Sequence, residues 1–197
     1  MRVVGRWVRR RLGGLRHERR VVRIARALFD LTREWHGLDG RGRRLLELAA
    51  IVHDVGRAVD DDEHPAEGAR LILGDERLPL TAGERRALAY LTRYHRGAVP
   101  GLGQDGLLHD GDARSELRVL LALLRAADAL DGRKVRPDAL CFAVRGDQIA
   151  VTCYADASRA KVRKYFGRRK KFKLLTSLLG CRVKVTLRHT AQYEVAA

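Results

Sequence analysis

The sequence contains little cysteine and no long apolar run. Its three cysteines, Cys141, Cys153 and Cys181, form no CxxC pair, so the sequence favours neither a thiolate zinc site nor a disulfide framework. No segment has the length and hydrophobicity of a membrane span or of a signal peptide. We therefore expect a cytoplasmic protein that has no membrane partner.

Acidic residues are also scarce relative to basic ones. The 197-residue chain has 40 Lys and Arg against 24 Asp and Glu, which gives a formal net charge of +16. A surface of this charge attracts phosphate-bearing molecules, although arginine used only for solubility gives the same composition. The charge thus indicates a class of partner and says nothing about the fold.

The first two thirds of the chain carry a helical pattern, because hydrophobic residues recur at spacings of three and four. Pro65 suits the first turn of a helix, and Thr81 with Glu84 three residues later is a capping-box pattern. Residues 97–111 contain five glycines, which predicts a long loop. The five predicted helices span residues 16–35, 41–53, 65–73, 81–95 and 112–130.

The last third of the chain has the pattern of a small α+β unit. Short strand-like segments are separated by turn residues, and the sequence Arg-Gly-Asp at residues 145–147 is typical of a hairpin. The predicted elements are strands over residues 140–144, 148–154 and 182–187 and a basic helix over about 158–179.

Four of the seven histidines lie where a predicted helix begins or ends. They are His17, His53, His64 and His95. Together with Asp54 and Asp128 they offer only imidazole and carboxylate ligands, which suit Mn, Fe, Co, Ni, Zn or Mg. Asp128 lies in a nearly all-apolar helix, where a carboxylate without a partner is costly. This combination favours a metal site.

Each of these residues also has a purely structural explanation. His53 with Asp54 could simply end a helix, His64 could enter one, and His95 could lie at a solvated helix end. We interpret Asp131 as a helix terminator, although it could replace Asp128 if the helix register were shifted.

Several longer strings carry a specific resemblance. The segments LAAIVHDVG, HPAEGARLIL, RYHRG and LLRAADALD resemble those of HD-superfamily phosphohydrolases, and RHERRVVRIARALFDLTREWHGL supplies the leading histidine. Nearly the whole chain is similar to the C-terminal half of exopolyphosphatases and guanosine pentaphosphate phosphatases, the Ppx/GppA proteins. In those enzymes an HD-like helical domain precedes a small α+β domain. Their N-terminal actin-like ATPase-type halves have no counterpart here.

The resemblance implies the ligands of one or two divalent ions. The first ion would be bound by His17, His53, Asp54 and Asp128. In relatives with two metals, Asp54 bridges the ions, and His64 and His95 complete the second site. His53 and Asp54 then take the catalytic role. Arg57 stands where the cyclic-dinucleotide branch usually has lysine, and the GYP signature of that branch is not intact in GAVPGLG, which argues against that branch.

Basic residues adjoin the motifs and crowd the C-terminal helix. Arg57, Arg93, Arg96 and Arg125 could hold phosphate through their planar guanidinium groups or could simply be solvated. Residues 158–173 hold nine basic residues interleaved with aromatics, a pattern that suits a polyanion, although the aromatics could pack inward and the charges be solvated. The candidate contacts in this segment are Arg168, Arg169, Lys170 and Lys171.

The fold expected from these features is mainly α, with an HD-domain helical bundle followed by a small α+β C-terminal unit. We predict a basic N-terminal segment (1–15), an HD-type metal-binding domain (16–135) and a small basic α+β appendage (136–197).

The resemblance implies metal-dependent hydrolysis of a phosphate ester or anhydride in a nucleotide or polyphosphate-like substrate. The alternative is a non-catalytic module that binds polyphosphate or nucleic acid, like the accessory region of exopolyphosphatases. The exact substrate, the native metal and the oligomeric state, with a homodimer among the options, stay open.

Overall fold

A computed structural model describes residues 1–132, 139–156 and 172–190 of the chain, together with Ser158, Ala160 and Phe166. Residues 1–132 form a bundle of helices, and the later described residues form a small sheet with one short helix. The predicted class, mainly α with a small α+β unit at the C-terminal end, is confirmed. No helix among the described residues is long and apolar enough to cross a bilayer.

The helical part follows the hydrophobic periodicity closely. Its helices are α1 (Arg2–Leu12), α2 (Arg16–Leu31), α3 (Arg33–His36), α4 (Gly40–Val52), α5 (His64–Gly74), α6 (Ala82–Tyr94) and α7 (Arg114–Asp131), with a 3₁₀ turn at Val55–Ala58. The predicted capping box is confirmed, because the Thr81 side chain accepts from the Glu84 amide while the Glu84 carboxylate accepts from the Thr81 amide. Asp39 caps α4 by accepting from two backbone amides.

Helix α4 is the central helix of the bundle. Residues 46–52 are all buried, since this helix contacts α1, α2, α6 and α7. Helix α2 packs against both α4 and α7, and its buried face includes Val21, Ala25 and Leu28. The end of α4 is thus enclosed by other helices, and the residues that follow it start in the interior.

Residues 1–15, predicted as a basic N-terminal segment, contain helix α1. Val4, Trp7 and Val8 are at most 2% exposed, and the Trp7 indole donates a hydrogen bond of 2.7 Å to Asp75. The helix packs on α4 and on the 3₁₀ turn. The many arginines of the segment lower its mean hydropathy. The sequence pattern therefore does not reveal the apolar face, which consists of only three residues. The N-terminal segment is therefore part of the helical core.

The C-terminal sheet has three strands in the order β1-β2-β3. Strands β1 (Ala139–Arg145) and β2 (Gln148–Tyr154) form the predicted antiparallel hairpin, which turns at Gly146 with a φ of 58°. Strand β3 (Arg182–Arg188) pairs with β2 in parallel. Helix α8 (Lys173–Leu179) precedes β3 and packs against α7. Most of the rest of the predicted basic helix, including residues 168–171, lies outside the described residues.

The 3₁₀ turn and helix α5 approach each other at two glycines. A Cβ atom on Gly56 would lie 2.1 Å from the His64 carbonyl oxygen and 2.4 Å from the Gly68 nitrogen. A Cβ atom on Gly68 would lie 2.7 Å from a Thr92 methyl group. The obstacles at Gly56 are backbone atoms, which cannot rotate away. Only glycine at position 56 therefore lets the start of α5 lie this close to the end of α4.

We predict that Gly56→Ala destabilises the fold by about 2 kcal/mol, because the two backbones must separate and good packing is lost. The matched control is Gly83→Ala in α6, where nothing lies within 4 Å of the added methyl group. Alanine there should leave the stability unchanged or raise it by up to about 1 kcal/mol. Urea denaturation of both variants measures the difference, and equal effects would contradict the close approach.

Candidate metal centre

Six side chains, which lie in or directly after five helices, meet at the C-terminal end of α4. His17 comes from the first turn of α2, His64 from the start of α5, and Asp128 from α7. His53 and Asp54 follow α4 directly, and His95 follows α6. Four of the six residues, His53, Asp54, His64 and His95, are at most 3% exposed. The structure thus brings together every residue that the sequence nominated as a ligand.

The first group of ligand atoms surrounds the Nε2 atom of His17. This atom lies 3.2 Å from His53 Nε2, 3.6 Å from Asp54 Oδ2 and 3.3 Å from Asp128 Oδ1. Metal–ligand bonds of about 2.1 Å place neighbouring ligand atoms about 3.0 to 3.4 Å apart. The observed separations therefore suit one ion with little rearrangement.

The second group lies on the other side of Asp54. Asp54 Oδ1 is 3.4 Å from His64 Nε2 and 3.5 Å from His95 Nε2. The same oxygen lies 3.6 Å from His53 Nε2, while Asp54 Oδ2 faces His17. Within each group, His17–His53–Asp54 and Asp54–His64–His95, the ligand atoms lie within 4.8 Å of one another. One carboxylate is thus shared between two sets of imidazoles.

The outer nitrogen of each histidine fixes how its ring is presented. Nδ1 of His53, His64 and His95 donates to the carbonyl oxygen three residues earlier, at 2.9, 2.6 and 2.6 Å. A carbonyl oxygen can only accept a hydrogen bond, so Nδ1 carries the proton. In the neutral ring Nε2 then carries a lone pair. Among the described residues, the buried Nε2 atoms of His64 and His95 make no hydrogen bond.

The surroundings of the cluster shift the pKa values of its carboxylates and of two imidazoles. Burial alone would raise the pKa of the Asp54 carboxyl, but the surrounding histidines outweigh burial and hold that pKa well below its usual value. The pKa of Asp128 is lowered in the same way by His17 and His53. Burial lowers the pKa of His95 to about 4. Ionised Asp54 and Asp128 and a neutral His95 are in the protonation states that bind metals. His53 differs, because burial lowers its pKa but Asp54 and Asp128 outweigh burial and raise it.

Two arginines lie beside the cluster. Arg57 Nε donates to Asp54 Oδ2 at 3.0 Å, and its guanidinium also pairs with Asp61. Arg96 Nη2 lies 3.5 Å from Asp128 Oδ2. Together with Arg93 they line a cleft of about 370 Å³ that borders His64. Their contact with substrate stays a prediction.

Arg125, which was also predicted to contact substrate, is bonded to the backbone instead. The guanidinium of Arg125 donates to the carbonyl oxygens of Tyr94 and Gly97, each at 2.9 Å. These bonds fix the chain where α6 passes into the glycine-rich loop, so two of its nitrogens are already engaged. The predicted contacts in the basic segment, Arg168, Arg169, Lys170 and Lys171, lie outside the described residues.

Asp131, which the sequence pattern indicates as a helix terminator or as a replacement for Asp128 in a shifted register, lies beside His17. Its carboxylate is 1% exposed and accepts from His17 Nδ1 at 2.7 Å. It also accepts from Arg20. Asp131 does not replace Asp128, which faces His17 Nε2 instead. The signal that could have found it is its spacing, because residues three apart share one face of a helix.

The fold and the cluster define a helical protein whose buried imidazole and carboxylate groups could hold divalent metal. Residues 14–153 match the family model described as Ppx/GppA phosphatase, domain III. The match includes helices α2 to α7 and the hairpin up to Cys153. The chain belongs to this family, which relates it to the exopolyphosphatases and, at a coarse level, to phosphate-hydrolysing enzymes.

We predict that in the metal-free protein the His95 imidazole stays neutral down to about pH 4, because burial disfavours its charged form. Nitrogen-15 NMR of the ring should show the Nδ1-protonated neutral form at pH 6 and a titration midpoint near 4. In urea, where burial is lost, the midpoint should return to about 6.5. A midpoint near 6.5 in the folded protein would contradict the assigned environment.

Proposed function

We propose that the chain is a metal-dependent phosphohydrolase of the HD type, which binds two divalent ions and hydrolyses a phosphate ester or anhydride. The observation that carries this proposal is the shared carboxylate. Asp54 presents one oxygen to His17 and the other to His53, His64 and His95, at separations of 3.4 to 3.6 Å. Membership of a phosphatase family supports the same class of reaction.

The proposed ligand sets follow from the two groups. The first ion would be held by His17, His53, Asp54 and Asp128, and the second by Asp54, His64 and His95. Among the described residues all three cysteines lie elsewhere, in the C-terminal sheet or just before β3, so the donors are nitrogen and oxygen only. Such donors suit Mn, Fe, Co, Ni, Zn or Mg.

When bound, two such ions would supply an activated water and positive charge for the phosphoryl oxygens. The protein groups have separate tasks. Asp54 sets the separation of the two sites, and the Nδ1 bonds of the histidines hold each ring in one orientation. Arg57 and Arg96, at the adjoining cleft, would orient the phosphate and neutralise charge that develops on its equatorial oxygens.

In this proposal the predicted HD-type domain, residues 16–135, holds the reaction centre. The small α+β unit from residue 136 onwards is an appendage that contributes no proposed metal ligand. Substrate would be a nucleotide or a polyphosphate-like molecule, because Arg57, Arg93 and Arg96 line the cleft that borders the cluster. The arginines outweigh the acidic residues of the cleft at the end nearest Asp128, where Arg96 lies. The acidic residues that line the cleft as well are Asp61, Asp62 and Glu63. The proposal does not require the appendage for turnover of a small nucleotide.

The test combines metal analysis with a hydrolysis assay. We expect the purified protein to bind up to two divalent ions and to release phosphate from members of a nucleotide and polyphosphate panel with Mn, Co, Ni or Mg. Asp54→Asn should reduce turnover at least about 100-fold, since both ions lose a ligand. The control Asp112→Asn removes a carboxylate–arginine pair outside the cluster and should keep most of the activity.

Failure of the wild-type protein to bind any of these metals, or equal activity of Asp54→Asn and Asp112→Asn, would contradict the proposal.

A second candidate function is a non-catalytic module that binds polyanions. Two observations favour it: the matched family model describes one domain of a phosphatase, and the chain carries a net charge of +16. If the basic segment binds a long polyanion, serine at Arg168, Arg169, Lys170 and Lys171 should weaken that binding and reduce its salt dependence.

The same variant separates the two functions. For a hydrolase, it should raise KM for long polyphosphate and leave turnover of a small nucleotide nearly unchanged. For a binding module, the wild type should bind polyphosphate and should release no phosphate, whichever of the metals is added. Equal effects on long and short substrates, or binding that does not respond to salt, would eliminate the polyanion role of the segment.

A further inference from the structure

One histidine of the cluster is oriented differently from the other three. His53, His64 and His95 each use the carbonyl oxygen three residues earlier in the chain. His17 instead uses the carboxylate of Asp131, which lies 114 positions away on α7. Three of the rings are thus oriented by their own local backbone, whereas the fourth depends on a contact between two helices.

The contact is a chain of three side chains. His17 Nδ1 lies 2.7 Å from Asp131 Oδ2. Arg20 Nε donates to Asp131 Oδ1 at 2.6 Å, and its Nη2 donates to Oδ2 at 3.1 Å. Asp131 is 1% exposed, and the Arg20 side chain is 34% exposed. Arg20 therefore compensates the charge of a buried carboxylate and fixes its plane through two bonds.

Asp128 and Asp131 face the two nitrogens of the same ring. They lie three residues apart on α7, so they occupy one face of that helix. Asp128 Oδ1 faces His17 Nε2 at 3.3 Å, while Asp131 receives the Nδ1 proton. Rotation of the ring would lose the Asp131 bond, and the other tautomer would place a proton where the ion should bind.

We infer that Asp131, supported by Arg20, is a positioning residue that makes His17 a ligand of the first ion. This inference rests on the proposed metal centre and adds a determinant of metal affinity that the ligand set does not include. A carboxylate that accepts the outer proton of a ligating histidine fixes its tautomer and strengthens it as a donor, and losing such a partner typically costs 10- to 100-fold in affinity.

The test is a Co²⁺ titration of the full chain, followed by equilibrium dialysis and visible absorption. We expect two binding steps in the wild type. Asp131→Asn should weaken one step by about 10- to 100-fold and leave the other, at Asp54, His64 and His95, within a few-fold. Arg20→Gln keeps Asp131 and every ligand, and should weaken the same step by a smaller factor.

The matched control is the Arg86–Asp112 pair, which has the same two-bond geometry at 2.9 Å but no contact with a histidine ring of the cluster. Asp112→Asn should lose stability to a similar extent and leave both Co²⁺ steps unchanged. Nitrogen-15 NMR of the metal-free protein gives a second readout. His17 should be protonated on Nδ1 in the wild type and should gain the Nε2-protonated form in Asp131→Ala.

The outcomes distinguish this inference from the proposed function. Two Co²⁺ steps in the wild type that persist unchanged in Asp131→Asn and Arg20→Gln would overturn the inference alone. A wild type that binds no Co²⁺ would overturn both. If Asp131→Asn does not fold, Arg20→Gln decides the question, since a partly exposed arginine can be replaced with little loss of packing; unchanged Co²⁺ binding in that variant would overturn the inference.

Discussion

The position of Asp54 governs the rest of the structure. Its carboxylate is fully buried, and an ionised carboxylate in such a place is very costly unless positive charge and hydrogen bonds compensate it. Imidazoles from three other helices and the guanidinium of Arg57 surround the carboxylate and supply this compensation. Burial raises the pKa of the group and these neighbours more than reverse the rise. The surroundings therefore hold the residue in the charged form.

The packing of the helices serves this arrangement. Helix α4 is enclosed on most sides, so the residues that follow it begin in the interior, and Gly56 then allows α5 to approach within backbone contact. The same approach brings His64 to Asp54. On the opposite side, α2 and α7 are joined through His17, Asp128 and Asp131. One side of the cluster is thus built by close backbone packing and the other by a polar contact between helices.

Much of the fold was predictable from the sequence because its signals are local. Hydrophobic periodicity, the capping box at Thr81 and the hairpin turn at Gly146 act within a few residues of the chain. The nominated ligands also came from the sequence, partly through a family resemblance. Helix α1 was missed because arginines mask its narrow apolar stripe. The partners of Asp131 and Arg125 were missed because each depends on a contact between distant helices, which no local pattern encodes.

The central claim is that Asp54 is shared by two metal ions. Anomalous X-ray diffraction from crystals soaked with Mn²⁺, recorded near the manganese absorption edge, tests this claim most directly. The account predicts two peaks about 3.5 to 4 Å apart, one on either side of the Asp54 carboxylate. A single peak beside Asp54 would reduce the centre to one ion. Peaks only at other places in the protein would contradict the account.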